Sequence, residues 1–514
     1  MSQRTRQGTT PQAIPSGGVS APERAGAPDG RRLGLTLGML VLPMYVALGA
    51  PSVALPAVGR ALAVPFGATA WILAAWSLTS ALAMPVAGRL LARRSPFQVL
   101  VAGVVALAAG SALAGAGPTL SVVIVGRLVG GAGAGATVIA VFAAATALPG
   151  RQRMRALGII AAASATASGC GTLLGGAVTA WLGWRAVLAI PVLALPLLLA
   201  AWPSRRALTL NGRDSGSGSG NGNGNGNGNG NGNGNGERNG STGRLDIVGA
   251  AVLSVLAGSL ITLLQAHSVG LPAPVTLLVA AAGALAAVGL WWRVRSTPDG
   301  FVPRRVIAAR GFLAAGLIGG TVFAGYYGVL FRAPSLIEQA TGGGPLEAGV
   351  LLVPAAVCSV PAGRLVGALT DRFTGWQVSA GLAALTVVGV LVVAVSTTPA
   401  PVVVGTALTV CGFAGTQAVL VGLAPELVAA DDRHTAQGLF TFMNVLGGGI
   451  GPAAVAGLSG IVPGPVALAV LAALPLAGFV LGLTRRPATH RRPEPDAARG
   501  SPPDSPPASD PTTP

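Results

Sequence analysis

The stretch GRLLARRSPFQV, residues 88–99, and the stretch GALTDRFTGWQV, residues 367–378, share one outline. Each begins with glycine, carries arginine in a short polar break between two apolar runs, and ends in an aromatic residue followed by Gln-Val. The second copy has Asp371 where the first copy has Ala92. Two copies of one turn, far apart in the chain, indicate an internal repeat.

The amino-acid composition of the chain is that of a membrane protein. Of the 514 residues, 51% are hydrophobic and 10% are charged, and the mean hydropathy is +0.66. Soluble globular chains carry about a quarter charged residues. The apolar runs approach the ~20 residues that a helix needs to cross a bilayer, and they lack the alternating pattern of an outer-membrane barrel. The sequence therefore predicts an all-α polytopic membrane protein.

About fourteen of these runs are predicted to cross the membrane. Six lie in residues 33–202, two in residues 246–295 and six in residues 311–484. Residues 203–245 form a linker whose long Gly-Asn run is typical of a flexible tether. Residues 1–32 and 485–514 are predicted to be disordered cytoplasmic ends. Because the repeated turn joins the second and third helix of each six, we expect two parallel repeats around a central cavity.

The arginines predict the orientation. All 33 basic residues are arginine, and they give a formal charge of +17. Such a balance can indicate nucleic-acid binding, but these arginines lie mainly in the breaks between helices, as expected for cytoplasmic loops. With the amino terminus inside, only Arg60, Arg185 and Arg332 lie between helices on the outer side. The pattern predicts a multi-pass plasma-membrane protein with both termini in the cytoplasm, and no nucleic-acid partner.

Several motifs resemble those of the major facilitator superfamily, in its fourteen-helix drug:proton antiporter branch. They are SVALPAVGRAL in the first helix, GRLVGGAGAG in the fourth, GCGTLLGG in the fifth, LDIVGA in the seventh, LEAGVLLVP in the tenth and NVLGGGIGPA in the thirteenth. The resemblance implies two six-helix bundles with two extra central helices. This chain departs from the family by having Ala47 and Ala92 where the family has aspartates.

Four residues are predicted to serve coupling or gating. Arg127 lies inside an apolar helix, where a charge is costly and marks a functional site or a structural cap held by backbone carbonyls. The resemblance implies a part for Arg127 in proton or anion handling, and it makes Asp371 with Arg372 the surviving copy of the family's gating motif. Glu338, just beyond the ninth predicted run, is either a proton-coupling carboxyl or a solvated rim residue.

The predicted substrate cavity contains Tyr45, Tyr326 and Asn444. The chain has 3 tyrosines, and all lie in the first helix of a six, which lines the cavity in the resembled fold. Aromatic walls suit amphipathic organic molecules, although packing is the alternative role for Tyr327. Gly130, Gly171, Gly175 and Gly176 belong to glycine-rich stretches that permit close helix packing or gating.

The sequence predicts a secondary transporter that exports small amphipathic, neutral or anionic compounds by alternating access, coupled to protons. No acidic residue lies between Asp29 and Asp214, which argues against multivalent cations as substrates. An uncoupled facilitator or metabolite importer of the same fold, and a non-transporting scaffold, are the alternatives. We expect a monomer in the lipid bilayer, no enzymatic activity, no cofactor and no metal.

Overall fold

The computed structural model describes residues 30–91, 93–148, 150–202, 246–297, 300–429 and 432–485. The predicted linker 203–245 and nearly all of both predicted disordered ends lie outside these residues. The first six predicted crossings are α1 (Gly30–Ala61), α2 (Ala70–Leu90), α3 (Pro96–Ala116), α4 (Leu120–Thr146), α5 (Gly150–Leu182), and the consecutive α6 (Trp184–Ala189) and α7 (Ala194–Ala201). The extra pair is α8 (Ile247–Val269) and α9 (Ala273–Ser296). The short α10 (Arg304–Ala308) precedes the last group, which comprises α11 (Phe312–Thr341), α12 (Pro345–Leu351), α13 (Val353–Val357), α14 (Ser359–Thr370), α15 (Gly375–Val395), α16 (Pro399–Glu426), α17 (Arg433–Ser459), α18 (Gly464–Leu471) and α19 (Ala473–Leu483).

Each of the fourteen predicted crossings contains helical residues. Twelve spans in the described residues are long and apolar enough to cross a membrane. The fifth position, α5, contributes a shorter apolar segment, Cys170–Leu182. The tenth position is divided into α12, α13 and α14. The breaks between these helices fall at Leu352 and Cys358. Each break lies two or three residues before a proline, Pro354 or Pro361, because proline lacks the N–H that would bond to the carbonyl four residues earlier.

The two repeated turns start the next helix with the same hydrogen bonds. The Ser95 hydroxyl accepts a bond from the Gln98 backbone N–H, and the Gln98 side chain accepts one from the Ser95 N–H. Thr374 and Gln377 repeat this arrangement at the start of α15. A capping box satisfies two N–H groups that have no partner within the helix. The glutamine common to both copies is therefore explained by helix initiation.

The helices form two groups that meet along two seams. Within the first group, α1 packs on α5 and α4 packs on α2 and α3; within the second, α11 packs on α17 and α15 packs on α16. Between the groups, α2 packs on α17, and α5 packs on α12. We call the side of the molecule where α1 begins the amino-terminal face, and the side where α1 ends the opposite face.

The extra pair lies beside one of these seams. Helix α8 packs on both α17 and α2, whereas α9 packs chiefly on α8 and exposes large side chains such as Leu277 and Trp292. The two helices are joined by Asp246, whose carboxylate accepts hydrogen bonds from Arg293 and from the N–H groups of Gly249 and Phe301, each at 2.8 Å. These bonds fix both helix ends on the amino-terminal face.

Replacing Asp246 by alanine is expected to lower the free energy of unfolding by about 3 kcal/mol, because it removes a helix cap and leaves Arg293 without its carboxylate. The measurement is thermal unfolding of the purified protein in detergent. Asp371→Ala is the matched control, since the exposed Asp371 makes no ion pair with any described residue. Equal losses of stability in both variants would contradict the role given to Asp246.

The same variant has a defined pH dependence. Burial by itself raises the pKa of Asp246. The hydrogen bonds from Arg293, Phe301 and Gly249 lower this pKa by more than burial raises it, so the pKa lies below its usual value. A lowered folded-state pKa stabilises the fold above the unfolded value, and this contribution is lost as the pH falls through the folded value. The stability difference between parent and variant should therefore be constant above about pH 5 and shrink below about pH 4.

Candidate transport pathway

Four aromatic side chains of the second group form one cluster, Phe323, Tyr326, Tyr327 and Phe413, which we call the aromatic cluster. The Tyr326 and Phe413 rings stack with centroids 4.5 Å apart, and Phe323 meets Phe413 edge-on at 4.6 Å. Residues three and four apart share one helix face, which brings three of these rings together on α11. Tyr326 and Phe413 are half-buried, whereas Tyr327 is buried, which favours packing as the role of Tyr327.

Tyr45 reaches this cluster from the first group. Helices α1 and α11 are in contact, and Tyr45 lies close enough to Tyr327 for the two side chains to interact electrostatically. The half-buried Tyr45 also packs against a hydrophobic cluster to which both α1 and α11 contribute residues, among them Val46 and Val329. The predicted cavity residues Tyr45 and Tyr326 therefore lie on the two sides of the plane between the groups.

Two amide side chains lie beside the aromatic cluster. The buried Asn444 donates a hydrogen bond from Nδ2 to Oε1 of Gln417 at 3.3 Å. Gln417 follows Phe413 by one helical turn on α16 and is half-buried. Asn444 Oδ1 and Gln417 Nε2 have no hydrogen-bond partner among the described residues. Because unpaired polar groups are costly in an apolar interior, this buried pair leaves one acceptor and one donor uncompensated beside the aromatic cluster.

Arg127 is held inside the first group, where 1% of it is exposed. Its Nε donates to the Ile72 carbonyl at 2.9 Å and one terminal nitrogen donates to the Ala47 carbonyl at 3.3 Å. Its guanidinium carbon lies 4.1 Å from the Trp76 ring centroid, a cation–π arrangement. This is the geometry of a structural cap between α1 and α2, while the other terminal nitrogen, Nη1, has no described partner.

An ion pair joins the two groups on the opposite face. Arg60, at the end of α1, lies 3.4 Å from a carboxylate oxygen of Glu338 near the end of α11. The Arg60 side chain is 65% exposed, whereas the Glu338 side chain is 9% exposed. Glu338 is therefore a mostly buried carboxylate with a partner in the other group.

The predicted gating pair lies elsewhere. Asp371 and Arg372 are both exposed on the amino-terminal face, and neither makes an ion pair with a described residue. Ala92, the counterpart of Asp371, lies outside the described residues. In the first copy, Arg89 donates to the Gly300 carbonyl at 2.9 Å and lies over the Phe301 ring. The first turn is thus attached to the segment that follows the extra pair.

The four predicted glycines occupy different packing environments. A Cβ on Gly175 would overlap the Ala50 carbonyl oxygen, and one on Gly176 would overlap the Pro345 carbonyl oxygen across the seam between the groups. A Cβ on Gly130 would lie 3.1 Å from the Trp76 ring, whereas one on Gly171 would keep ordinary contacts of 3.6 Å. Gly176 is therefore the glycine whose size controls how closely α5 approaches α12.

Gly176→Val is expected to reduce transport at least 10-fold, because the added side chain forces the seam apart on the opposite face, where small residues allow close approach. The measurement is transport by reconstituted protein, with the unfolding temperature as a check on folding. Gly158→Val is the matched control on the same helix, since no atom lies within 4 Å of a Cβ at that position. Transport by Gly176→Val at the parental rate would show that the seam does not close this tightly.

Sequence reasoning missed several of these residues. Phe413 and Gln417 were not predicted, although they are spaced four residues apart on α16 and so share one face. Arg60 was assigned only to a loop, because its partner Glu338 is 278 residues away in the chain. Short-range spacing could have identified the first pair, but no local signal identifies the second.

Two six-helix groups, two seams between them and a region lined by aromatic and amide side chains define a multi-pass membrane transporter. The family model of the Major Facilitator Superfamily matches residues 37–219, 245–452 and 315–509, and the chain belongs to this family.

Similar proteins indicate the branch of the family to which this chain is related. The chain is 26% identical over 346 residues to the methylenomycin A resistance protein of Bacillus subtilis, which covers 67% of this chain and 68% of that protein. It is 24% identical over 429 residues to the multidrug resistance protein Stp of Mycobacterium tuberculosis, covering 81% of this chain and 73% of Stp. These relatives confirm the resemblance to the drug-efflux branch.

Solved structures agree with the fold. The human organic anion transporter MFSD10 (TETRAN) gives a TM-score of 0.51 at 15% identity, covering 88% of this chain and 98% of that chain. A bacterial homolog of the human lysosomal transporter Spinster, in an inward-facing and unoccupied conformation, gives a TM-score of 0.56 at 15% identity, with coverage of 89% and 95%. At this identity the likeness is one of fold.

Proposed function

We propose that this transporter exports small amphipathic organic compounds from the cytoplasm across the plasma membrane by alternating access, in exchange for protons. The observation that carries the proposal is the placement of the aromatic cluster opposite Tyr45 at the plane between the two groups. A compound bound there would contact both groups at once, so relative movement of the groups would expose it to one face or the other. The resistance names of the relatives support export as the direction.

The charge distribution supports a neutral or anionic substrate. The described part of the first group contains no carboxylate, and the region between the groups offers aromatic rings and the Gln417–Asn444 amides. Multivalent cations require anionic partners, which these walls do not supply. Amphipathic compounds with an aromatic or aliphatic body are therefore favoured.

The contacts on the opposite face support a closed seam there. Phe66 of the first group and Phe331 of the second stack with ring centroids 4.8 Å apart, and Gly176 approaches Pro345 without room for a side chain. If the arginine-rich amino-terminal face is cytoplasmic, these contacts close the seam on the outer side of the membrane. A single chain contains both groups, so the working unit we propose is a monomer.

Glu338 is the proposed coupling carboxyl. Protonating it would remove the charge that attracts Arg60 and would release one contact that holds the groups together on the opposite face. Arg127 would assist by fixing α1 to α2, and Asp371 with Arg372 would gate the amino-terminal face.

The proposal is tested with the full chain in proteoliposomes that carry an imposed pH gradient. Neutral, anionic and dicationic compounds, among them methylenomycin A, are assayed for accumulation with and without a protonophore. Accumulation that collapses when the gradient is dissipated is expected for neutral or anionic compounds. Equal accumulation with and without the gradient would instead identify an uncoupled facilitator, and preference for dications would contradict the charge argument.

A further inference from the structure

A cavity of about 830 Å³ opens on the opposite face, away from the aromatic cluster. One wall is the end of α1 with the chain that follows it, including Arg60 and Phe66, and the other is the end of α11, including Arg332 and Glu338. Pockets for drug-sized ligands span about 300–1,000 Å³. We call this cavity the vestibule, and it is large enough for an organic molecule.

The two arginines of the vestibule differ in whether a carboxylate balances their charge. Arg60 is paired with Glu338, whereas Arg332 makes no ion pair with a described carboxylate. Arg332 donates from Nη1 to the Ser335 hydroxyl at 3.1 Å, and its buried Nε has no hydrogen-bond partner in the described part of the chain. A partly buried guanidinium with unused donors favours an oxyanion beside it.

The apolar walls complete the site. Phe66 stacks on Phe331, and the Arg332 guanidinium lies 5.8 Å from the Phe66 ring centroid. Ala63 is the one non-glycine residue of the described chain with positive φ, at 51°, a conformation that costs an L-residue about 1–2 kcal/mol. This turn ends α1 and carries Pro65 and Phe66 along the vestibule wall, so an aromatic surface lies beside an uncompensated charge.

We propose that the vestibule is a second binding site, separate from the aromatic cluster, for an amphipathic organic anion. The anionic group accepts hydrogen bonds from Arg332, and the apolar body rests on Phe66 and the neighbouring prolines. Arg60 lies within the same cavity, so the anion also competes with Glu338 for Arg60. Binding here therefore weakens the ion pair between the groups. The inference depends on the proposed function in one respect only: if the protein is an exporter, the vestibule lies on the route by which compounds leave.

The test is equilibrium binding of naphthalene-2-sulfonate to the full chain in phosphatidylcholine nanodiscs, compared with the uncharged naphthalene-2-sulfonamide. The parent should bind the sulfonate more tightly than the sulfonamide. Arg332→Gln should raise the Kd of the sulfonate about 10-fold or more, since a hydrogen bond to a charged group contributes that much, and should leave the Kd of the sulfonamide near its parental value. Arg332→Lys, which keeps the charge, should bind the sulfonate with intermediate affinity.

Arg295→Gln is the matched control, because Arg295 stacks on Trp291 in α9, far from the vestibule. Unchanged sulfonate binding by folded Arg332→Gln would overturn the inference. Loss of sulfonate binding in Phe413→Ala but not in Arg332→Gln would also overturn it, by placing the anion at the aromatic cluster, while leaving the proposed function intact. Competition by added phosphatidylglycerol that disappears in Arg332→Gln would support the site and identify a lipid headgroup as a source of the anion.

Discussion

Glu338→Gln is expected to abolish the dependence of export on a proton gradient, with gradient-driven accumulation reduced at least 10-fold. The physical reason is that glutamine fills the same volume but neither gains nor loses a proton. In the parent, the Glu338 carboxylate is mostly buried and its nearest charge is Arg60, 3.4 Å away in the other group. Under the proposed mechanism, a titratable group in that position would link protonation on the opposite face to the contact between the groups.

The measurement is accumulation of a transported compound in proteoliposomes with an imposed pH gradient, followed by exchange without a gradient. Glu338→Gln should retain exchange, because its substrate region is intact. Glu347→Gln is the matched control, since Glu347 is exposed at the start of α12 and should behave like the parent. Arg60→Gln keeps the carboxyl but removes its partner in the other group, so gradient-driven accumulation should fall in this variant as well. Parental gradient-driven accumulation by Glu338→Gln would refute the coupling assignment.

Phe413→Ala is expected to raise the KM for export roughly 10- to 100-fold. The ring stacks on Tyr326 and meets Phe323 edge-on, so its removal takes away a wall of the proposed binding region. Losing about 100 Å² of apolar contact corresponds to roughly 2.5 kcal/mol, and about 1.4 kcal/mol is a tenfold change in affinity. Tyr326 also loses its stacking partner and can then adopt other rotamers.

The measurement is the concentration dependence of export by parent and variant at equal amounts of folded protein. Phe142→Ala is the matched control, because Phe142 lies on α4 and is 36% exposed. Phe413→Leu retains apolar volume without an aromatic ring, so its KM should fall between the KM of the parent and the KM of Phe413→Ala. A parental KM for Phe413→Ala would exclude the aromatic cluster from the binding region.

The sequence predicted the secondary structure well because hydropathy and capping are local. A run of apolar residues near the length of a bilayer crossing forms a helix in lipid whatever its neighbours are, since each backbone N–H and C=O must be satisfied within the segment. The repeated turns carried a further local signal, the Ser95–Gln98 and Thr374–Gln377 capping boxes. The division of the tenth crossing follows from Pro354 and Pro361, and the sequence contains both, although hydropathy alone treats them as part of one run.

The site was predicted less completely. Tyr45 and Tyr326 were assigned to the cavity because tyrosine is rare in this chain and occurs only in α1 and α11, and that assignment stays a prediction. The partners that complete their surroundings, Phe413 and Gln417, lie on α16, a helix whose rotation about its own axis no local pattern fixed. Asn444 was predicted to line the cavity, and the structure buries it behind Gln417.

The sequence by itself therefore determined that this protein is a helical, multi-pass membrane protein with two related halves and an arginine-rich face. Only the tertiary structure decided that Arg127 is capped by the Ile72 and Ala47 carbonyls and that Glu338 pairs with Arg60. These contacts join residues distant in sequence, and each depends on how whole helices pack against one another. Hydropathy sets which segments enter the membrane, whereas the packing of their faces sets which charges and rings meet.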